Sequence, residues 1–352
     1  MRNDHRYLVE LAILTPLVAV LLAASDLWWL QDESFVELAE GLDAAPVDVL
    51  YLGDSVARAV GECDLGDRPV DGWLAELSPY RLLAVSKGAL SPIILGDYLD
   101  VAAKREHLPR LIVFPINLRS FSRDWYTNPD RRFELERYRA RVRFGSPGAG
   151  DLLGFARRRF SGSIEVTRRR WQSEPLVVGG APLGERRDVH EDAWIPRRPA
   201  VECSPDLEAR YRAELALRFR LNYMDPIEPG HPHLAHLADA MATARRNGQR
   251  VLAYLTPIDV EGGAALLGEA FRERYRRNVA GVVGALTRSS VPFVDLSDSL
   301  AHERFVDRRC ACEHVDDRGR AYIAGELAKR IERVLSAADA SLVAAQPVGL
   351  AE

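Results

Sequence analysis

The sequence predicts an open, doubly wound α/β fold: a three-layer α/β/α sandwich around a mostly parallel five-stranded sheet. Three observations predict it. Five short runs, VDVLYLG (47–53), YRLLAVS (80–86), RLIVFPI (110–116), RVLAYLT (250–256) and VPFVDLS (291–297), are almost continuously apolar, as strands buried on both faces must be. Helical patterns lie near 97–107, 233–247, 264–287 and 319–336, and strand followed by helix, repeated, favours parallel pairing through right-handed crossovers. The residues directly after the runs are Asp54-Ser55, Lys87-Gly88, Asn117, Pro257 and Asp298. In doubly wound sheets ligands bind beyond the carboxyl ends of the strands, so chemistry is expected there.

Ahead of the first strand, residues 7–24 (YLVELAILTPLVAVLLAA) form an apolar run preceded by Arg2, His5 and Arg6 and followed by Asp26, Trp28, Trp29, Asp32 and Glu33. Its length just suffices to cross a hydrocarbon core of about 30 Å, and the charge asymmetry orients it with the amino terminus inside. Residues 1–30 are therefore expected to be a signal anchor or transmembrane helix, with cleavage after Ser25 as the alternative. Either way the rest of the chain is expected to be extracytoplasmic, anchored to the membrane or secreted. Residues 31–335 are expected to be the catalytic domain and residues 336–352 a disordered tail.

The chain has 352 residues, 47% hydrophobic and 28% charged, with a formal net charge of −4. That balance suits a globular core and supplies no whole-chain basic surface for nucleic acid. The four cysteines, Cys63, Cys203, Cys310 and Cys312, are read as disulfide formers in an oxidising compartment, with pairing undetermined. Cys310 and Cys312 are too close in sequence to pair with one another without strain.

Between the third and fourth runs, residues 118–249 break the rhythm and read as a large helical and irregular insertion. Residues 119–170 hold fourteen Arg and six Asp or Glu, either a solvated face or a cap that attracts anionic glycan, phosphate or lipid headgroups.

In VLYLGDSVARAV, Ser55 follows a buried strand and opens a helix, where helix N–H groups can stabilise negative charge. The same position suits an N-cap serine, and no Gly-x-Ser-x-Gly elbow is present. Gly88 in VSKGALS suits either a turn or a close approach of substrate to backbone. Asn117 in FPINLRSF suits either a loop hydrogen bond or an oxyanion donor. His314 in EHVDDRG lies five residues before Gly319, at the start of the last helical pattern.

Taken together, Gly53-Asp54-Ser55, Gly88, Asn117 and His314 resemble four blocks of the SGNH, or GDSL, hydrolases, in order, over roughly residues 47–117 and 250–335. The resemblance implies Ser55 as nucleophile and His314 as base. It implies an oxyanion hole made by the N–H groups of Ser55 and Gly88 and the Asn117 amide. Asp54, Lys87 and Arg119 are candidate substrate-binding residues beside it.

The family's acid three residues before the histidine is replaced here by Ala311. Asp307 is ranked first to orient His314, ahead of Glu313, expected on the opposite side of an extended chain, and a backbone carbonyl. Alternation of Cys310, Cys312 and His314 invites a metal reading, as does the cluster His231, His233 and His236. Neither has a matching second ligand set, and His302 is the only nearby candidate. No metal or cofactor is therefore expected. The expected function is ester hydrolysis or O-acyl transfer on a cell-surface or exported polysaccharide. A lipase or lysophospholipase, and a non-catalytic subunit that binds glycan or a membrane acyltransferase, are the alternatives.

Overall fold

The computed structural model of the chain describes residues 33–58, 64, 66–145, 153, 162–178, 181–186, 205–306 and 313–345. Its strands are β1 (Val49–Gly53), β2 (Leu82–Ser86), β3 (Leu111–Ile116), β4 (Pro175–Val178), β5 (Ala181–Glu185), β6 (Val251–Leu255) and β7 (Phe293–Asp295). All five apolar runs are strands of one sheet, ordered β2-β1-β3-β6-β7, and every pairing in it is parallel. The expected doubly wound architecture is what forms. β4 and β5 pair separately as an antiparallel hairpin.

Helices α1 (Glu33–Ala44), α2 (Ser55–Arg58), α3 (Val70–Leu77) and α4 (Pro92–Ala102) surround the first two strands. Between β3 and β6 lie α5 (Arg123–Thr127), α6 (Glu134–Phe144), α7 (Ser163–Ser173), α8 (Pro205–Tyr223) and α9 (Pro232–Arg246). Then come α10 (Val260–Leu267), α11 (Glu269–Arg288) and, after β7, α12 (Asp317–Ala345).

Successive strand residues point to opposite faces, and here both faces are covered. Leu50, Leu52, Ile112, Phe114, Ile116, Ala253 and Leu255 pack into one core with α1, α4, α9 and α11. Val49, Tyr51, Leu111, Val113, Leu252 and Tyr254 pack into the other with α3 and α12. Two-sided burial is why the runs show no polar alternation.

Three expectations are corrected in detail. The pattern over 264–287 is two helices, because Gly268 adopts a left-handed φ of 77° and ends α10, a conformation that costs glycine little. Helix α12 continues to Ala345 through part of the stretch expected to be disordered, with Ile331 and Leu335 buried against the sheet. Residues 205–249, read as insertion, supply Phe219, Tyr223, Leu234 and Leu237 to the same core as the central strands.

Much of the Arg-rich stretch is paired internally. Arg137 and Arg141 both hold Asp97, at 2.6 and 2.7 Å, and Arg168 holds Asp130 and Glu165. Residues 7–24 and all four cysteines lie outside the described residues. Among the described residues, no helix is long and apolar enough to cross a membrane.

Candidate active site

The sheet runs outward from β1 to β2 and then returns across β1 to β3, so its strand order reverses between β1 and β3. A crevice forms at such a switch point, beyond the carboxyl ends of the strands. Asp54 and Asn117 sit at those two ends and touch: the Asn117 amide Nδ2 lies 3.4 Å from Asp54 Oδ2.

Gly53, the last residue of β1, is held close to the neighbouring strand: a Cβ there would stand 2.6 Å from Ser86 Oγ. Asp54 is 2% exposed, and its Oδ1 accepts the Val56 N–H at 2.9 Å. This caps the short helix α2, in which Ser55 is the first, partly exposed residue. Burial, reinforced by the charge of Glu313, pushes the Asp54 carboxyl up to about 6 from its ordinary 3.8, against the hydrogen bonds from Asn117 and Val56. Charge on Asp54 is thus opposed by its own surroundings.

After β2, Lys87 donates its N–H to Gly53 O at 2.9 Å, and Leu90 N–H bonds Lys87 O at 3.1 Å. Gly88 lies exposed in this turn, and a Cβ added to it would meet nothing within 4 Å. The space before it is open, so nothing within the chain itself demands glycine there. The left-handed residue of the turn is the next one, Ala89, with φ 61°, a conformation that is strained for a residue with a side chain. The Lys87 ammonium is engaged by Glu136 at 2.9 Å and lies 5.2 Å from the Phe133 ring.

After β3, Asn117 Oδ1 accepts the Arg119 N–H at 2.9 Å, a local turn typical of asparagine. Arg119 is 4% exposed, and its guanidinium stacks 4.5 Å over Trp125 and lies 3.4 Å from Glu313 Oε2. That separation is an ion pair rather than an aligned hydrogen bond. Arg119, a candidate substrate-binding residue, is thus buried with its guanidinium committed to Glu313 and Trp125.

Glu313 is completely buried, and Tyr223 Oη donates to its Oε1 at 2.5 Å. Far from pointing away, Glu313 is drawn inward by Arg119 and Tyr223, and its charge is felt at Asp54. Burial, then the Glu313 charge, raises Tyr223 well above its ordinary range, so it stays a donor. A Tyr223→Phe variant is expected to lose about 1.5–3 kcal/mol in chemical denaturation, the worth of a hydrogen bond to a charged group.

The neighbouring His314 is partly buried, and its main-chain O accepts the Val306 N–H at 3.2 Å, beside a bridge pairing Phe305 with Val315. None of the hydrogen bonds among the described residues joins Ser55 to His314. Each is the sequence neighbour of a buried acid, Ser55 of Asp54 and His314 of Glu313, and the charge of Glu313 is felt at Asp54. Asp307, ranked first to orient His314, lies outside the described residues.

The other histidines are accounted for separately. His231 Nδ1 accepts the His233 N–H at 3.1 Å, capping α9, and its Nε2 lies 2.7 Å from Phe121 O. With Nδ1 an acceptor, the proton belongs on Nε2. Burial holds His233 down to about 3. Beyond β6, His302 Nδ1 lies 2.7 Å from Asp259 Oδ2, a pairing the sequence reading missed because 43 residues separate the two. Glu313 was named as an alternative partner of His314, but its inward pairing was not foreseen, and Tyr223, 90 residues away, was missed as a site component.

No protein-family model matches the chain, and no curated protein matches it. Among solved structures, the chain is similar to an aryl esterase of M. smegmatis in an inhibitor-bound form, at 11% identity, covering 81% of this chain and 98% of that one with a TM-score of 0.36. It is likewise similar to an acetylxylan esterase from Geobacillus stearothermophilus, at 12% identity, covering 81% and 94% with a TM-score of 0.36. At TM-scores this low, neither likeness carries an argument about function.

Proposed function

We propose that this chain is a serine-dependent ester hydrolase or O-acyltransferase acting on a cell-surface or exported polysaccharide. One observation carries the reading. Asp54-Ser55, Asn117 and, through Arg119, Glu313-His314 meet where the strand order reverses, and these are the residues that the SGNH resemblance singles out.

Ser55 Oγ attacks the acyl carbonyl, His314 takes its proton, and the same proton goes to the departing alkoxide. The developing oxyanion is held by the N–H groups of Ser55 and Gly88 and by the Asn117 amide. Asn117 is suited to this because Arg119 N–H occupies its oxygen, which leaves the NH₂ group to face the crevice and Asp54. The proton transfer from Ser55 to His314 requires a hydrogen bond that forms when substrate binds, as is common for catalytic pairs. Glycine at 88 leaves open room for the acyl group. The polysaccharide assignment rests on the anchor pattern of residues 7–24 and on exposed arginines such as Arg169 and Arg170.

The test is hydrolysis of p-nitrophenyl acetate by the detergent-solubilised full chain beside Ser55→Ala. The variant is expected to lose at least about 10³-fold in kcat. Equal rates for the two proteins would sink the serine-esterase reading. An O-acetylated polysaccharide, assayed for free acetate against acetyl moved to an acceptor glycan, then separates hydrolase from transferase. A second reading, a non-catalytic glycan-binding subunit, is favoured by Ala311 together with the commitment of Glu313 to Arg119 and Tyr223. It predicts no Ser55-dependent turnover on either substrate.

A further inference from the structure

Arg320, in the first turns of α12, is 1% exposed and among the largest fully buried side chains. Its guanidinium grips two separate parts of the chain. On one side are Arg68 O at 2.6 Å, Gly66 O at 3.1 Å and the carboxylate of Asp64, all in the segment that leads away from the Ser55 helix. On the other is Val315 O at 2.7 Å, the residue directly after His314. Asp64 Oδ1 in turn accepts the Gly66 N–H at 3.1 Å and the Asp317 N–H at 3.3 Å.

Only arginine can do this. Its planar fork presents five donors in fixed directions, whereas lysine offers a compact charge that cannot reach three carbonyls and a carboxylate at once. The fit is also close: a Cβ on Gly66 would collide with Asp317 Cβ. Nothing here faces the crevice, so Arg320 does no chemistry itself.

We propose that Arg320 is a positioning residue, a clamp that holds the segment after Ser55 against the segment bearing His314 and so sets the approach of nucleophile to base. The inference rests on the proposed serine-esterase function. Misplacing a reacting group by about 1 Å can cost about 100-fold in rate, and an effect of that kind falls on kcat rather than on substrate binding.

The test compares full-length wild type, S55A, R320M, R320K and D64N with L327A, which empties part of the same helix's buried face without touching the clamp. Each is assayed with p-nitrophenyl acetate well below its own melting temperature. The clamp predicts that R320M loses about 10- to 100-fold in kcat with KM within about twofold. R320K and D64N should fall between it and wild type, and L327A, though destabilised, should keep its kcat. If R320M and L327A both lose stability and both keep kcat, Arg320 is structural only and the inference is wrong. If R320M does not fold, wild-type kcat in both R320K and D64N overturns it. If S55A matches wild type, the esterase reading itself has failed and the clamp falls with it.

Discussion

Replacing Arg119 with methionine is expected to cost about 3–5 kcal/mol at neutral pH, the range found when one partner of a buried ion pair is removed. The methionine stem keeps much of the packing against Trp125, so the loss reports charge rather than volume. What it leaves behind is Glu313, fully buried, without its guanidinium partner, and Asp54, 2% exposed, without the Arg119 charge that favours its ionised form. Folded domains hold only about 5–15 kcal/mol in total, so the variant sits near the edge of folding. Two features separate this cause from a generic core defect. The deficit shrinks as pH falls below about 6, where protonation neutralises Asp54. A second change, Glu313→Gln, restores at least about 1 kcal/mol to the R119M background although it harms the wild type. Urea denaturation of the four proteins of that cycle at pH 4.5 and 7.5 provides the measurement. An R119M deficit that neither pH nor Glu313→Gln alters would refute the ion-pair account.

The second large effect is a pH dependence that follows from Asp54. Its carboxyl titrates near 6 in the folded chain against 3.8 ordinarily, so between those values the folded state binds more protons than the unfolded one. Stability therefore falls as pH rises through that window, with the penalty absent below about 3.8 and complete above about 6. Roughly two pK units correspond to about 3 kcal/mol. Asp54→Asn removes the titration. The new amide meets the Asn117 amide donor to donor, a cost of about 1–3 kcal/mol at every pH, so the signature lies in the slope. The stability of Asp54→Asn relative to wild type is expected to rise by about 3 kcal/mol from pH 3.5 to 7.5. A difference that stays flat across that range would disprove it. A buried carboxylate that weakens the fold at neutral pH, placed where the strand order reverses, fits a group retained for the site rather than for stability.

The strands were legible in the sequence because two-sided burial writes itself as an unbroken apolar run, and each of the five runs became a strand of the same sheet. Asp54-Ser55 and Asn117 could then be placed at the sheet's carboxyl edge by geometry alone. The expected break in rhythm after 118 hid helices α8 and α9. Their patterns were readable as helix, but nothing local shows that Phe219 and Tyr223 pack beneath the sheet. The Arg-rich composition likewise said nothing of which arginines find carboxylates, or that Arg119, a candidate substrate-binding residue, is buried against Glu313.

Local pattern thus sufficed for the fold class and the edge on which the candidate residues stand, since these depend on neighbours within a few positions. Pairings across the chain were beyond it. Asn117 meets Asp54 across 63 residues, Tyr223 meets Glu313 across 90, and Arg320 meets Asp64 across 256. Such contacts leave no periodic trace, because each depends on closing a long loop and on excluding water around two charges at once. It took the folded chain to show Glu313 turned inward and Arg320 gripping both sides of the site.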